Sequence, residues 1–276
     1  MTKDAEFARF LKEKARWVRR ETLKIHRDAQ DTRVASSLSA VEIFTVLYYG
    51  GLFVNTPDNL RSEKRDRIIV SKGHGAISLY PILADLGYFD KSELRKVCKE
   101  GTFLGGIPDS VIPGFETING SLGHGIGVGC GVAMALKKKK RGEKVVVIVG
   151  DGELYEGSVW EAIMFAGHHR IDNLLVIVDR NRASMLDFCK NIIDLDPLDE
   201  KFRAFRWATW KAGGHDVAAL LSCVKRFKNK KDAAMPTVLI AETVKGKGVA
   251  ALEGDPLSHI KNIKPEEVDV LLAGME

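Results

Sequence analysis

Two polar turns in the middle of the chain carry residues able to hold a cation. KVVVIVGDGELYEG places Asp151 between Gly150 and Gly152, directly after an apolar, β-branched run. LLVIVDRNRAS places Asn181 at the equivalent point after the next such run. Runs of this kind read as strands buried in a parallel sheet, and open α/β sheets bind ligands beyond the carboxyl ends of their strands. A carboxylate and a carboxamide are two hard oxygen donors of the sort Mg2+ takes together with phosphate oxygens. The glycines beside Asp151 let a ligand approach the main chain closely. Asp-Gly also simply makes turns, so the pair by itself is a modest signal.

The segment GSLGHGIGVGCG repeats small residues every fourth position, Gly123, Gly127, Gly131 on one row and Gly125, Gly129, Ala133 on another. On a helix these rows make a broad surface without side chains, open to another backbone or to a ligand. The free N–H groups of its first turn can face an anion. No G-x-G-x-x-G falls within it, which excludes the dinucleotide fingerprint. Of the seven histidines, each taken alone reads as a structural imidazole.

The elements that must position these groups follow from periodicity. A long helix is predicted over residues 5–31, and Ser39 with Glu42 has capping-box spacing ahead of the apolar stretch Ile43 to Tyr49. A strand over 67–70 leads into the SKGHG turn and a helix from Ala76 to Leu86, and a Gly- and Pro-rich loop spans 101–120. Further helices are predicted over 123–140, 158–169, 200–211 and 218–228, and strands over 144–149, 174–179 and 237–242. This alternation predicts an α/β fold, a parallel sheet with helices on both faces. Without a repeat or linker, residues 1–276 read as one domain.

The 276 residues are 45% hydrophobic and 29% charged, a globular balance with a core of useful size. The N-terminus lacks a signal-type apolar segment, and the longest aliphatic run, Val145 to Val149, is far too short to cross a bilayer. A cytoplasmic protein without a membrane partner is expected. The formal charge of +5 comes largely from Lys137 to Arg141 and Lys225 to Lys231, each following a helical stretch, so no nucleic-acid partner is expected. Four scattered cysteines make no C-x-x-C pair, which argues against zinc or disulfides.

The spacing of GDG, an intervening helix and an Asn after the next strand matches the thiamine-diphosphate motif. Together with SSLSAVEIFTVLYY, DRIIVSKGHGAISLYPILADLGYF, IPGFETINGSLGHGIGVGCGVAMA, AGGHDV and VKGKGVAALEGDPLSHI, it resembles the transketolase family from about residue 16 to 260. The nearer likeness is to the amino-terminal half that forms a separate chain in split transketolases. The resemblance implies thiamine diphosphate and Mg2+ as cofactors. Asp151, Asn181 and the Ala183 carbonyl would hold the metal, and the turn Gly150, Asp151, Gly152, Glu153 would lie at the diphosphate. Gly120, Ser121 and Leu122 would meet the cofactor through their backbone. His74 and His259 would line the diphosphate side and the reaction centre, and Glu156 would communicate across a subunit interface.

The resemblance further implies a two-carbon ketol transfer from a ketose to an aldose, completed by a pyrimidine-binding domain. No room remains for that domain before Glu276. A companion chain carrying the pyrimidine-binding and carboxy-terminal domains is therefore expected, with two copies of each chain. Two departures bear on the sugar. The family's G-H-P-G is replaced by Thr32-Arg33-Val34-Ala35, and its G-H-P by Gly106-Ile107-Pro108. Arg33 and Ile107 thus stand where sugar-contacting histidines are usual, which points to an altered substrate. A thiamine-dependent 2-oxoacid decarboxylase or dehydrogenase subunit is the alternative enzyme, and a non-catalytic homologue the alternative outside enzymes.

Overall fold

The computed structural model describes residues 3–118, 120–230 and 234–275. Five strands, β1 (Arg67–Val70), β2 (Val145–Gly150), β3 (Leu174–Arg180), β4 (Ala208–Gly213) and β5 (Thr237–Glu242), pair in parallel in the order β1-β2-β3-β5-β4. Successive side chains on a strand point to opposite faces. Val146, Ile148, Leu175, Ile177 and Leu239 accordingly meet α1 (Lys3–Asp28), α3 (Val41–Tyr49), α4 (Leu79–Asp85) and α9 (Val217–Lys228). Val145, Val147, Val149, Val176 and Ile240 face α5 (Gly125–Lys138), α6 (Gly157–His168) and α8 (Leu198–Ala204). The α/β sheet covered on both faces is the architecture expected. A smaller cluster ties α2 (Val34–Ser39) and α10 (Pro265–Ala273) to Leu23 of α1. A short α7 (Cys189–Ile192) follows β3. Among the described residues no helix is long and apolar enough to cross a membrane.

Three local expectations need correction. The Ser39–Glu42 capping box does not form. Ala40 caps α3 without a side-chain bond, because Ser39 donates to Asp179 at 2.6 Å and Glu42 pairs with Arg19. The helix predicted over 200–211 ends at Ala204, and the chain turns into β4. Among the described residues that strand pairs only with β5, so its sequence ATWKAG lacks the continuous apolar run that marks the buried strands. The segment 76–86 begins as a 3-10 turn before α4.

The two glycine rows of α5 have separate uses. A Cβ on Gly129 would collide with Val147 and one on Gly125 would come 2.5 Å from the Ser71 hydroxyl, so this row lets the helix lie on the sheet. Gly127 and Gly131 face open space beside Val128, which is 45% exposed.

Candidate active site

The carboxyl ends of β1, β2, β3 and β5 converge on one polar region. At the end of β2, Asp151 accepts from the Gly152 N–H at 2.9 Å and from the Arg182 N–H. Asn181, just past β3, accepts on its carboxamide oxygen from the Ala183 N–H at 3.1 Å. The Ala183 carbonyl accepts from Lys245 Nζ at 3.0 Å, as the Ser184 carbonyl does at 2.5 Å. Asp151, Asn181, Arg182, Ala183 and Lys245 line a cavity of about 420 Å³. One carboxylate, one carboxamide and one main-chain carbonyl make an all-oxygen donor set that suits a hard cation. Lys245 already places a positive group against that carbonyl. Burial, followed by the Asp179 charge, pushes the Asp151 carboxyl up to about 6, and burial pushes the Lys245 ammonium down to about 8.

Asp179 lies beneath, fully buried at the end of β3. It accepts from Lys72 of the SKGHG turn, from Ser39 at the end of α2 and from Thr243 after β5. Burial alone would raise its carboxyl, yet the Lys72 charge and these bonds hold it below the usual value. One ionised carboxylate thereby ties together the ends of β1, β3 and β5.

The turn from Gly120 to Gly123 packs against the GDG turn. Glu153, 2% exposed, accepts from Ser71, from the Gly123 N–H at 2.9 Å and from the Gly150 N–H at 3.2 Å. Gly123 has φ +85, and a Cβ there would meet Glu156 Cβ at 2.7 Å. Glu156 is exposed at the start of α6, and Gly120, Ser121 and Leu122 are exposed beside it.

A second region lies next to the first. The His74 and His259 rings meet edge to face, 5.2 Å between centroids, and His259 Nδ1 is 3.1 Å from the Ser36 hydroxyl. Burial, then the cations Lys245 and Arg33, drive His259 down to about 3, and burial with Arg33 lowers His74. Both imidazoles are therefore neutral near pH 7. Arg33, His74 and Ile107 line a cavity of about 410 Å³ with Asp31 and Cys98. Among the described residues the Arg33 side chain has no hydrogen-bond or ion-pair partner. Ile107 joins the two regions, since a Cβ on Gly120 would lie 3.3 Å from it.

The structure thus gathers Asp151, Asn181 and Ala183 at one cavity, with Gly150, Gly152 and Glu153 in the turn that carries Asp151, and Arg33, His74 and Ile107 at a second cavity, where His259 packs on His74. Lys72, Asp179 and Lys245 build this region as well and do not stand out along the chain. A lysine among glycines directly after an apolar strand, VKGKG, is the available signal for Lys245.

The family model for the transketolase thiamine diphosphate binding domain matches residues 12–274. The chain is 37% identical to an apulose-4-phosphate transketolase subunit from Actinobacillus succinogenes, over 95% of this chain and 94% of that one. The chain belongs to the transketolase family. Members of this transferase family similar to it include the 6-deoxy-6-sulfo-D-fructose transketolase subunit SqwG of a Clostridium species, 33% identical over 88% of both chains. Mouse transketolase is 34% identical over 94% of this chain, which spans 41% of that longer protein. Among solved structures, the transketolase of Campylobacter jejuni superposes with a TM-score of 0.83 at 26% identity, covering 97% of this chain and 46% of that one. The fold around the site is the transketolase thiamine diphosphate-binding domain.

Proposed function

We propose that residues 1–276 form one domain that is the amino-terminal subunit of a two-polypeptide transketolase, using thiamine diphosphate and Mg2+. The observation that carries this is the convergence of Asp151, Asn181 and the Ala183 carbonyl in one cavity at adjacent strand ends. When bound, thiamine diphosphate supplies the carbon nucleophile for moving a two-carbon ketol unit from a ketose to an aldose. In this reading the three oxygens hold Mg2+, and Gly152 and the Gly120–Leu122 backbone lie along the diphosphate. Glu153 keeps the two turns in register. His74 and His259, neutral and partly buried, hydrogen-bond oxygens near the reacting carbon without adding charge.

The companion chain would bring the pyrimidine-binding and carboxy-terminal domains, with two copies of each polypeptide and Glu156 at the junction. Two relatives carry the name of a transketolase subunit, which supports this reading. So does an apolar surface around open Gly127 and Gly131, with Val128, Met164 and Phe165 45%, 54% and 41% exposed. Light scattering of the chain with and without its companion should show a complex. A strictly monomeric chain with full ketol transfer alone would overturn the half-enzyme reading.

The substrate would differ from a standard pentose phosphate. Ile107 offers no hydrogen bond where one is usual in the family, and Arg33 presents a guanidinium, unpaired among the described residues, that suits a carboxylate, phosphate or sulfonate. The relatives' names, apulose 4-phosphate and 6-deoxy-6-sulfo-D-fructose, are of sugars that bear such anions. Reconstituting both chains and comparing kcat/KM across ketose donors tests this. High activity with xylulose 5-phosphate that ignores Arg33→Ala would refute it.

A further inference from the structure

Behind the first cavity, a polar cluster grips the strip of chain that carries Lys245. Arg19 of α1 is buried, and its Nη1 and Nη2 donate to Glu42 Oε1 at 2.9 Å each. Its Nε donates to the Lys247 carbonyl at 2.9 Å. Glu42, also buried, accepts on Oε2 from His215 Nδ1 at 2.8 Å. On the other side of that ring, Nε2 accepts from the Val244 N–H at 2.8 Å. A main-chain N–H can only donate, so Nε2 is bare and Nδ1 carries the proton.

One carboxylate therefore holds residue 244 through His215 and residue 247 through Arg19. Lys245 lies between the two grips. The strip turns tightly there, with φ +76 at Gly246 and +91 at Gly248, and a Cβ on Gly248 would come 2.7 Å from Arg19 Cδ. Past the end of β5 the strip keeps two main-chain tethers besides this cluster, Thr243 N–H to the Arg180 carbonyl and Gly246 N–H to the Ala35 carbonyl, each at 3.0 Å, which leave Val244, Lys245 and Lys247 to the grip. A lysine side chain is a flexible four-carbon stem, so the placement of its ammonium depends on the backbone beneath it. Arg19, Glu42 and His215 are absent from the lining of the Asp151 cavity; they border a different cavity of about 410 Å³ beside α1.

We propose that Arg19, Glu42 and His215 are positioning residues: they hold the 243–248 strip so that the Lys245 ammonium stays in the lining of the Asp151 cavity, and thereby set the pocket's affinity for a diphosphate and its cation. The affinity part rests on the diphosphate reading given above, whereas the grip on the strip does not.

Two measurements on the full chain separate these parts. In hydrogen exchange without ligand, Glu42→Gln and His215→Ala should exchange the 243–248 amides faster than wild type. His215→Gln can still donate to Glu42 and accept from Val244, and should stay close to wild type. In calorimetry with magnesium pyrophosphate, and with thiamine diphosphate plus magnesium chloride, the first two variants should bind about 10–100-fold more weakly, as loss of an outer-shell partner does elsewhere. His215→Gln should recover most of that loss, with unchanged circular dichroism in all three. Unchanged exchange in Glu42→Gln and His215→Ala would overturn the grip. Faster exchange with unchanged affinity would overturn the positioning role. A wild-type chain that binds neither ligand would overturn the diphosphate reading, and with it the link to affinity, while the exchange data still decide the grip.

Discussion

The Asp151 cavity and the Arg33 cavity are neighbours built by opposite means. The first is made by the ends of β2 and β3 and the segment after β5, so the hydrogen-bonded ladder of the sheet fixes where its oxygens sit. The second is made by the start of α2, the SKGHG turn and the loop 101–120, which share no ladder. Backbone geometry specifies the one, and side-chain identity the other. On the reading proposed above, this accounts for a family pattern kept at Asp151 and Asn181 and departed from at Arg33 and Ile107. A strand-end site tolerates little change, whereas a cavity between loops can be re-lined without disturbing the sheet.

The sharpest way to break this contrast is Asp151→Ala. Losing the carboxylate should weaken magnesium-dependent thiamine diphosphate binding by more than about 100-fold, beyond the usual cost of an outer-shell change. Titration calorimetry reads this directly, and unchanged affinity would refute the metal assignment. The same residue makes a stability prediction. Its folded carboxyl lies near 6, against ~3.9 in the unfolded chain, so the native state binds the extra proton between those values. Without metal, this contribution is fully present below pH ~4 and is lost as pH rises through 6, about 3 kcal/mol at most. Magnesium should reverse the trend, stabilising above pH 6 and not below. Asp151→Asn should abolish both effects in denaturant titrations at a series of pH values. If the metal effect were independent of pH in wild type, Asp151 would not be its anchor.

The contrast also separates what can be read from the residues alone. Asp151 and Asn181 announce themselves because each follows a run so apolar that only a buried strand accommodates it. Lys245 and Asp179 do not, because their meaning depends on β5 lying between β3 and β4, an order that no local pattern encodes. Ser39 and Glu42 mislead for the same reason. Their spacing is that of a local cap, but a buried carboxylate on β3 and a buried guanidinium on α1 take them instead. The edge strand β4 escapes notice because one-sided pairing leaves it a mixed sequence.

On the substrate side, Arg33→Gln should change selectivity more than cofactor binding. With the companion chain present, kcat/KM for an anionic donor should fall about 10-fold, the value of one charge-assisted hydrogen bond of about 1.5 kcal/mol. Thiamine diphosphate affinity should stay within about twofold, since Arg33 shares no hydrogen-bond partner with Asp151 or Asn181 among the described residues. Equal losses in both would mean that the two cavities are one site, and the comparison would fall.

The smallest effect concerns the imidazoles that the Arg33 guanidinium faces. Burial is the main cause that keeps His259 near 3, with Lys245, His74 and Arg33 adding to it, whereas Arg33 is the first cause after burial for His74. Removing the charge in Arg33→Gln should raise both, and His74 by more. The sign for stability follows. A histidine depressed in the folded state costs stability as pH falls below its unfolded value of ~6.5, because the unfolded chain then binds the proton. Arg33→Gln should therefore make the protein slightly less sensitive to acid below pH ~6.5, chiefly through His74. Following the imidazole Cε1–H resonances against pH resolves the two rings separately. His259 should stay neutral at pH 5 in both proteins, since burial dominates there, and His74 should titrate higher in the variant. Coincident titration curves would show that the guanidinium exerts no field on these rings. Arg33 would then lie outside the reaction region, and the altered lining of the second cavity would rest on Ile107 alone.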